Sequence, residues 1–294
     1  MQQDIENLEK WTTANNMKMN NDKFVLLSYN KNPEIDNTYK LEDGTIIKEM
    51  NQTKDLGVIM SNDGRFSNHI NNLVSNCKKT ISMIFRTFKS RNDEVMLTLY
   101  SALVLSKIDY CSVLWSPSEL SDMRKLEKVQ ANFTLRMKCA KNDSDNKRDY
   151  WQRLKHLNLY SIQPRIERYT VIYVWKILHE IVHNPGLEFK NEGPAQSRLG
   201  TTCIVPKCIS KLQENSFLVR GPKLFNSLPK EIREFAYDNG IQQQQAINNF
   251  KKRLDEYLAL IPDEPSSRSD YTKYMTGINM YGEVTNSIVR NVIM

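Results

Sequence analysis

Ile70-Asn71-Asn72-Leu73-Val74-Ser75-Asn76-Cys77-Lys78-Lys79-Thr80-Ile81-Ser82-Met83-Ile84-Phe85-Arg86-Thr87-Phe88 is the stretch on which the fold turns. Its apolar residues Ile70, Leu73, Val74, Cys77, Ile81, Ile84, Phe85 and Phe88 return every three or four positions. That spacing draws one continuous stripe down a long helix. Lys78, Lys79, Arg86 and Lys89 share about a third of the circumference at about 100° per residue, largely opposite Ile81, Ile84 and Phe88. Arg91 points elsewhere. The helix therefore has one face for a core and one rich in cations.

Downstream the helical period continues. Val95, Met96, Leu99, Tyr100, Leu103 and Val104 predict a second helix, and Asp122 to Met137 a third, with Pro117 in the turn before it. Lys141 to Asp149 is wholly polar and reads as a linker. Residues 165–183 are apolar almost all round and predict the central helix of the second half, ended by Asn184-Pro185-Gly186. Residues 187–223 read as a long loop with short extended pieces. Ile247, Phe250, Leu254, Tyr257, Leu258 and Ile261 predict a last amphipathic helix, and 262–294 read as a flexible tail.

Upstream the pattern differs. Ile5, Leu8 and Trp11 recur at helical spacing, Phe24 to Tyr29 is strand-like, and Leu56 to Met60 predicts another strand closed by Asn62-Asp63-Gly64. Between them Glu42-Asp43-Gly44-Thr45 predicts a hairpin turn, because Asp-Gly suits positive φ. Residues 1–64 thus predict a small α/β piece, too small alone to hold a good core. The whole reads as α+β, mostly α, divided at 1–64, 65–140, 141–261 and 262–294.

Charge is unevenly spread. The chain carries +7 overall, but residues 65–176 hold 20 Lys and Arg against 10 Asp and Glu. A concentrated positive segment is the footprint of a surface for a polyanion. The five cysteines are an odd number, scattered through apolar patterns, and read as buried reduced thiols. No run of about 18 apolar residues predicts a membrane span. The acidic, polar start excludes a secretory or transit leader. An intracellular protein, nuclear or cytoplasmic, is expected, with no membrane partner.

Three stretches carry a family likeness: the helix–Asn20-Asn21-Asp22-Lys23–strand order of residues 4–27, then Lys54-Asp55-Leu56-Gly57-Val58-Ile59, then Asp109-Tyr110-Cys111-Ser112-Val113-Leu114-Trp115 with Leu126-Glu127-Lys128-Val129-Gln130. Leu154 to Leu159, Tyr173 to His179 and Gly221 to Pro229 extend it. In this order they resemble the rear of the palm, the thumb and the following helical region of the reverse transcriptase of jockey-like non-LTR retrotransposons. The resemblance implies a palm remnant, a helical thumb-like bundle and a helical C-terminal region. It implies that Lys23 lies near the leaving pyrophosphate as a proton donor, and that Lys54 and Gly57 belong to a primer grip. It implies that Lys78, Lys79, Arg86, Lys89 and Arg91 hold phosphates of a template–primer duplex. Such contacts set position rather than read sequence.

The family's polymerase needs two Mg²⁺ ions on carboxylates that include an adjacent Asp-Asp. This chain has no Asp-Asp pair. The expectation is a truncated fragment with no cofactor of its own and no polymerase activity alone, whose partners are an RNA/DNA duplex and the missing polymerase core. A co-opted nucleic-acid or protein adaptor is the alternative. A third reading rests on His179-Glu180-Ile181-Val182-His183, which matches the H-E-x-x-H of zinc proteases. Phe189 stands where the extended pattern needs a third histidine, and Pro185 breaks the helix. The histidines then read as a helix end, favourable when protonated. Cys203 and Cys208 with these histidines are the remaining candidates for a structural zinc.

Overall fold

The computed structural model describes residues 1–29, 38–140, 148–190, 201–235 and 242–261. It divides into two units, one ending at His69 and one beginning at Ile70. The described chain is mostly helical, with three two-stranded sheets.

The first unit begins with α1 (Gln2–Ala14). Its buried residues are Glu9 and Thr12, while Leu8 and Trp11 are exposed and Ile5 is half-buried. The expected apolar face is thus turned outward. The reason is polar: both carboxylate oxygens of Glu9 accept the Glu42 N–H, at 2.9 and 3.1 Å. Gln2 exchanges hydrogen bonds with the backbone of Lys40. These contacts hold α1 against a hairpin in which Lys40 pairs with Ile46. Its turn is the predicted one, with Gly44 at φ +81° and the Asp43 carboxylate accepting Thr45 N–H.

Strand β1 (Val25–Leu26) pairs parallel with β2 (Lys48–Glu49), shorter than the run Phe24 to Tyr29 predicts. Strands β3 (Gln52–Asp55) and β4 (Val58–Ser61) form an antiparallel hairpin. Leu56 and Gly57, at φ +43° and +91°, make its two-residue turn. Two successive positive φ values suit the right-handed twist of a tight hairpin. Leu56 therefore belongs to the turn, not to the strand expected from Leu56 to Met60. In this unit only Leu41 and Val58 are fully buried apolar residues among those described.

Helix α2 (Ser67–Thr87) carries the predicted stripe: Ile70, Leu73, Val74, Cys77, Ile81, Ile84 and Phe85 are buried. Phe88 lies past its end and stays partly exposed. Asn92 caps α3 (Asp93–Tyr100) by accepting the N–H groups of Glu94 and Val95. The second predicted helix is not regular. It passes through a π-helical turn (Ser101–Leu105) into α4 (Ser106–Asp109). Met96, Tyr100, Val104 and Ile108, each four residues apart, are all fully buried. Cys111, at φ +52°, starts α5 (Ser112–Trp115), and α6 (Leu120–Thr134) follows.

Beyond the stretch read as a linker, of which 141–147 lie outside the described residues, Asp149 and Gln152 form a reciprocal capping box. It opens α7 (Tyr150–Leu157). The predicted central helix is α8 (Ile162–Leu178). Four helices meet at two side chains of α6. Gln130 accepts the Tyr100 hydroxyl at 3.0 Å, and donates to the Tyr150 hydroxyl at 3.0 Å and the Tyr160 carbonyl at 2.9 Å. Glu127 accepts from the Tyr150 hydroxyl and, at 2.6 Å, from the first N–H of α8 at Ile162. The segments expected at 65–140 and 141–261 therefore share one unit.

Strands β5 (Phe189–Lys190) and β6 (Thr202–Cys203) pair antiparallel. They precede α9 (Lys211–Glu214) and α10 (Phe217–Asn226). The loop expected over 187–223 is corrected here, since most of 211–223 is helical. Gly221-Pro222 reads as a break, yet Pro222 sits in the second turn of α10. A Cβ at Gly221 would come within 3.1 Å of both Val174 Cγ2 and Phe217 Cε2. The glycine is thus a close-packing residue between α8 and α10. The chain closes with α11 (Lys230–Arg233) and α12 (Gln243–Leu258), where Phe250 stacks on Trp175 at 4.4 Å and 7°. The tail expected to be flexible lies outside the described residues.

Gly221→Leu should therefore wedge α8 from α10. An overpacked site of this kind costs about 1–3 kcal/mol. A lower urea midpoint by tryptophan fluorescence is expected; an unchanged midpoint would mean that α10 moves away freely.

Candidate nucleic-acid interface

The predicted site residues fall in both units. Lys23 ends a single 3₁₀ turn (Asn21–Lys23) and is exposed. The turn is tied to the hairpin by Asn21, whose amide donates to the Asp43 carboxylate at 2.9 Å. Lys54 is exposed on β3 opposite Ile59, and Gly57 is exposed in the β3–β4 turn. The Ile59 N–H donates to His69 Nδ1 at 3.3 Å, so this hairpin is fixed next to His69. Burial, and then the charge of Lys54, push the His69 imidazole below its ordinary pKa.

In the second unit Lys78, Lys79 and Arg86 lie exposed on α2, and Lys89 is exposed just past its end. None of the four has a hydrogen bond or ion pair among the described residues. Lys78, Lys79 and Arg86 are held by a helix whose other face is committed to the core, and Lys89 follows just after it. The cations are thus fixed at the backbone and free at their heads, as phosphate contacts require.

Arg91 departs from the expectation. Its guanidinium donates to the carbonyls of Phe85 (3.1 Å), Ser90 (3.3 Å) and Phe88, and lies 4.7 Å from the Phe85 ring centroid. It closes the carboxyl end of α2, satisfying carbonyls that have no helical donor. Arg91 is a structural cap, not a free cation.

Other cations arrive from a distance in sequence. Arg136 stands 3.8 Å from the same Phe85 ring, and Lys138 N–H donates to the Arg91 carbonyl at 3.1 Å. Lys107 reaches α2, its ammonium 2.6 Å from Thr80 Oγ1. All three are exposed. Only the return of α4 and of the chain after α6 onto α2 brings them there. Their membership in the basic segment was the one signal in the sequence.

The H-E-x-x-H motif does not form a metal site. Helix α8 ends at Leu178, and Glu180 takes φ +55°. The two histidines therefore do not sit one turn apart on a helix. His179 packs on Trp175 at 4.5 Å, whereas His183 is exposed. Burial holds the His179 imidazole below its ordinary pKa, partly opposed by a hydrogen bond to the Phe235 backbone. Its neutral form is favoured, contrary to the protonated helix-end reading. Cys203 is buried, its thiol pushed up to about 12, and Cys208 is exposed. Among the described residues no three potential ligands gather around a point. Cys77 is buried as expected, with its thiol pushed up to about 11, but Cys111 is exposed like Cys208; all four are free thiols. No helix among the described residues is long and apolar enough to cross a membrane.

The sign of the His179 effect is fixed. The unfolded chain takes up a proton at the ordinary value of 6.5, and the folded one resists to lower pH. The neutral imidazole's contribution is thus whole above 6.5 and is lost as pH falls toward the folded value. His179→Gln should show a smaller loss of urea midpoint than the parent between about pH 7.5 and about pH 5. Equal losses in both would locate the acid sensitivity elsewhere, His69 being the next candidate.

Comparison of the chain with protein-family models, with curated proteins and with solved structures gives no match.

Proposed function

We propose that this chain is the duplex-holding part of an RNA-directed DNA polymerase of the jockey-like non-LTR retrotransposon kind. In this reading it grips template–primer nucleic acid and performs no polymerisation by itself. The observation that carries the reading is the free cationic face of α2. The resemblance of the three stretches described above supports it, as does the tight Leu56-Gly57 turn in the grip-like hairpin. Lys23, Lys54 and Gly57 would serve the primer end, and Lys78, Lys79, Arg86 and Lys89 the duplex backbone.

The Mg²⁺ pair of that family does not fit the residues present. The chain has no Asp-Asp, and the described carboxylates form no cluster. The exposed Leu8 and Trp11 of α1 offer apolar surface that a polymerase core would cover. Primer extension on a poly-adenosine template with Mg²⁺ should give no incorporation above background. Robust synthesis would reveal carboxylates able to hold metal that this reading lacks.

Binding should depend on salt and not on sequence. Four phosphate contacts give a log–log slope of roughly −3 to −4 on duplex, with an affinity of about micromolar at best. Fluorescence anisotropy on an RNA–DNA hybrid should show this slope. It should flatten when Lys78, Lys79, Arg86 and Lys89 are all changed to Ala. A quadruple variant with the parent's slope would move the interface off α2; no binding at low salt would end the reading.

A further inference from the structure

A cavity of about 460 Å³ opens between α5 and α8, and none of the α2 cations lines it. Its walls are largely apolar and aromatic: Leu114, Ile172, Tyr173 and Phe217 line it, with Tyr173 and Phe217 in edge contact at 5.4 Å and 69°. This is the size range of sites for small organic ligands, which pair apolar walls with a few placed polar groups.

The walls are braced from behind. The buried Arg220 donates to the Val113 carbonyl at 2.7 Å and to Thr170 Oγ1 at 3.0 Å, locking α5 against α8. Asp109 also lines the cavity. Its carboxylate is engaged by Arg165 through two bonds, 2.8 and 2.7 Å, and by the Tyr169 hydroxyl at 3.1 Å. Its charge is therefore answered within the fold.

Three features remain that the fold does not use. Ser112 lines the cavity, is 1% exposed, and its Oγ has no hydrogen-bond partner among the described residues. A buried hydroxyl left without a partner is costly. Lys176 stands at the cavity, half-buried, with no ion pair among the described residues. Lys251 feels the charges of Lys176, Arg168 and Asp255, and of these Asp255 is already held by Arg168. Cys111 is held at φ +52°, a left-handed conformation that costs a non-glycine residue about 1–2 kcal/mol. That turn leaves Cys111 exposed among the residues that line the cavity. Backbone strain of this kind gathers at ligand sites.

We propose that this cavity binds an amphipathic monoanion. Its apolar body lies between Leu114, Tyr173 and Phe217, and its acid head meets Lys176. The inference does not depend on nucleic-acid binding by α2 and stands or falls separately.

The probe is anilinonaphthalenesulfonate, an aromatic body with one anionic head, titrated by fluorescence into the full chain. Uncharged phenylnaphthylamine has the same body without the sulfonate and serves as its control. One saturable site per chain is expected. Lys176→Met should weaken the sulfonate by about tenfold or more, the worth of one charge-assisted contact, and leave the uncharged probe unchanged. In the unsubstituted chain the sulfonate should also slow iodoacetamide alkylation of Cys111, but not of the exposed Cys208, read by peptide mass spectrometry. Non-saturable binding, alkylation of Cys111 at the same rate with and without probe, or a Lys176→Met variant that binds both probes as the parent does would each overturn the proposal.

Discussion

Two polar side chains one turn apart on the buried face of α6, Glu127 and Gln130, set the register of the second unit. Between them they engage α3 through Tyr100, α7 through Tyr150, the Tyr160 carbonyl and the first N–H of α8. An all-apolar interface tolerates small slips, since one methyl group serves nearly as well as another. A buried hydroxyl, amide or carboxylate does not, because each lost bond leaves a desolvated group behind. Burial drives the Tyr100 and Tyr150 hydroxyls well above their ordinary pKa, so both remain protonated donors. Around this node the apolar layers fall into place: Phe133 of α6 packs on Tyr100 at 4.4 Å and on Phe85 of α2 at 5.1 Å. Holding Phe85 there turns the Lys78, Lys79 and Arg86 side of α2 to solvent.

Much of this was legible wherever one period dominated. The Ile70–Phe85 stripe, the Asp43-Gly44 turn, the core of α8 and the last helix each have a single strong local cause. Expectation and structure part where a local rule meets a tertiary one. Gly221-Pro222 signals a break, but the missing Cβ is what lets α10 approach Val174. The apolar spacing of Ile5, Leu8 and Trp11 lost to a carboxylate, since Glu9 found a backbone donor, the Glu42 N–H, in the hairpin. His179-Glu180 continues a helical pattern that Glu180 ends by turning left-handed. Helix α7 had its signal in Asp149-Tyr150-Trp151-Gln152, hidden behind a polar run.

The candidate interface divides in the same way. Charge density along the chain points to α2 and its neighbours. It does not separate a cation that faces solvent from one consumed by a helix end, and Arg91 belongs to the second kind. Nor does it show that Lys107 and Arg136, far along the chain, lie on α2 and on Phe85. The cavity residues Ser112 and Lys176 lie in stretches whose sequence does not point to a cavity. Their interest comes from what surrounds them: among the described residues, a buried hydroxyl without a partner and an amine at the cavity without an ion pair.

The π-helical turn at Ser101–Leu105 holds one residue more than a regular helical turn, and the face that follows depends on it. An α-helix gains about 40° beyond a full turn every four residues. A strict four-residue repeat therefore winds off its own face. Met96, Tyr100, Val104 and Ile108 keep such a repeat and still all point inward, because the wider turn takes back the excess. The turn works as a vernier between two readings of the same helix. Winding these five residues into regular α-helix with none removed would rotate everything after them by about a quarter turn. Ile108 would leave the core, Asp109 would lose Arg165, and Lys107 would swing off Thr80. Removing one residue would instead let a regular helix carry Ile108 on the same face, since a π turn holds one residue more than an α turn.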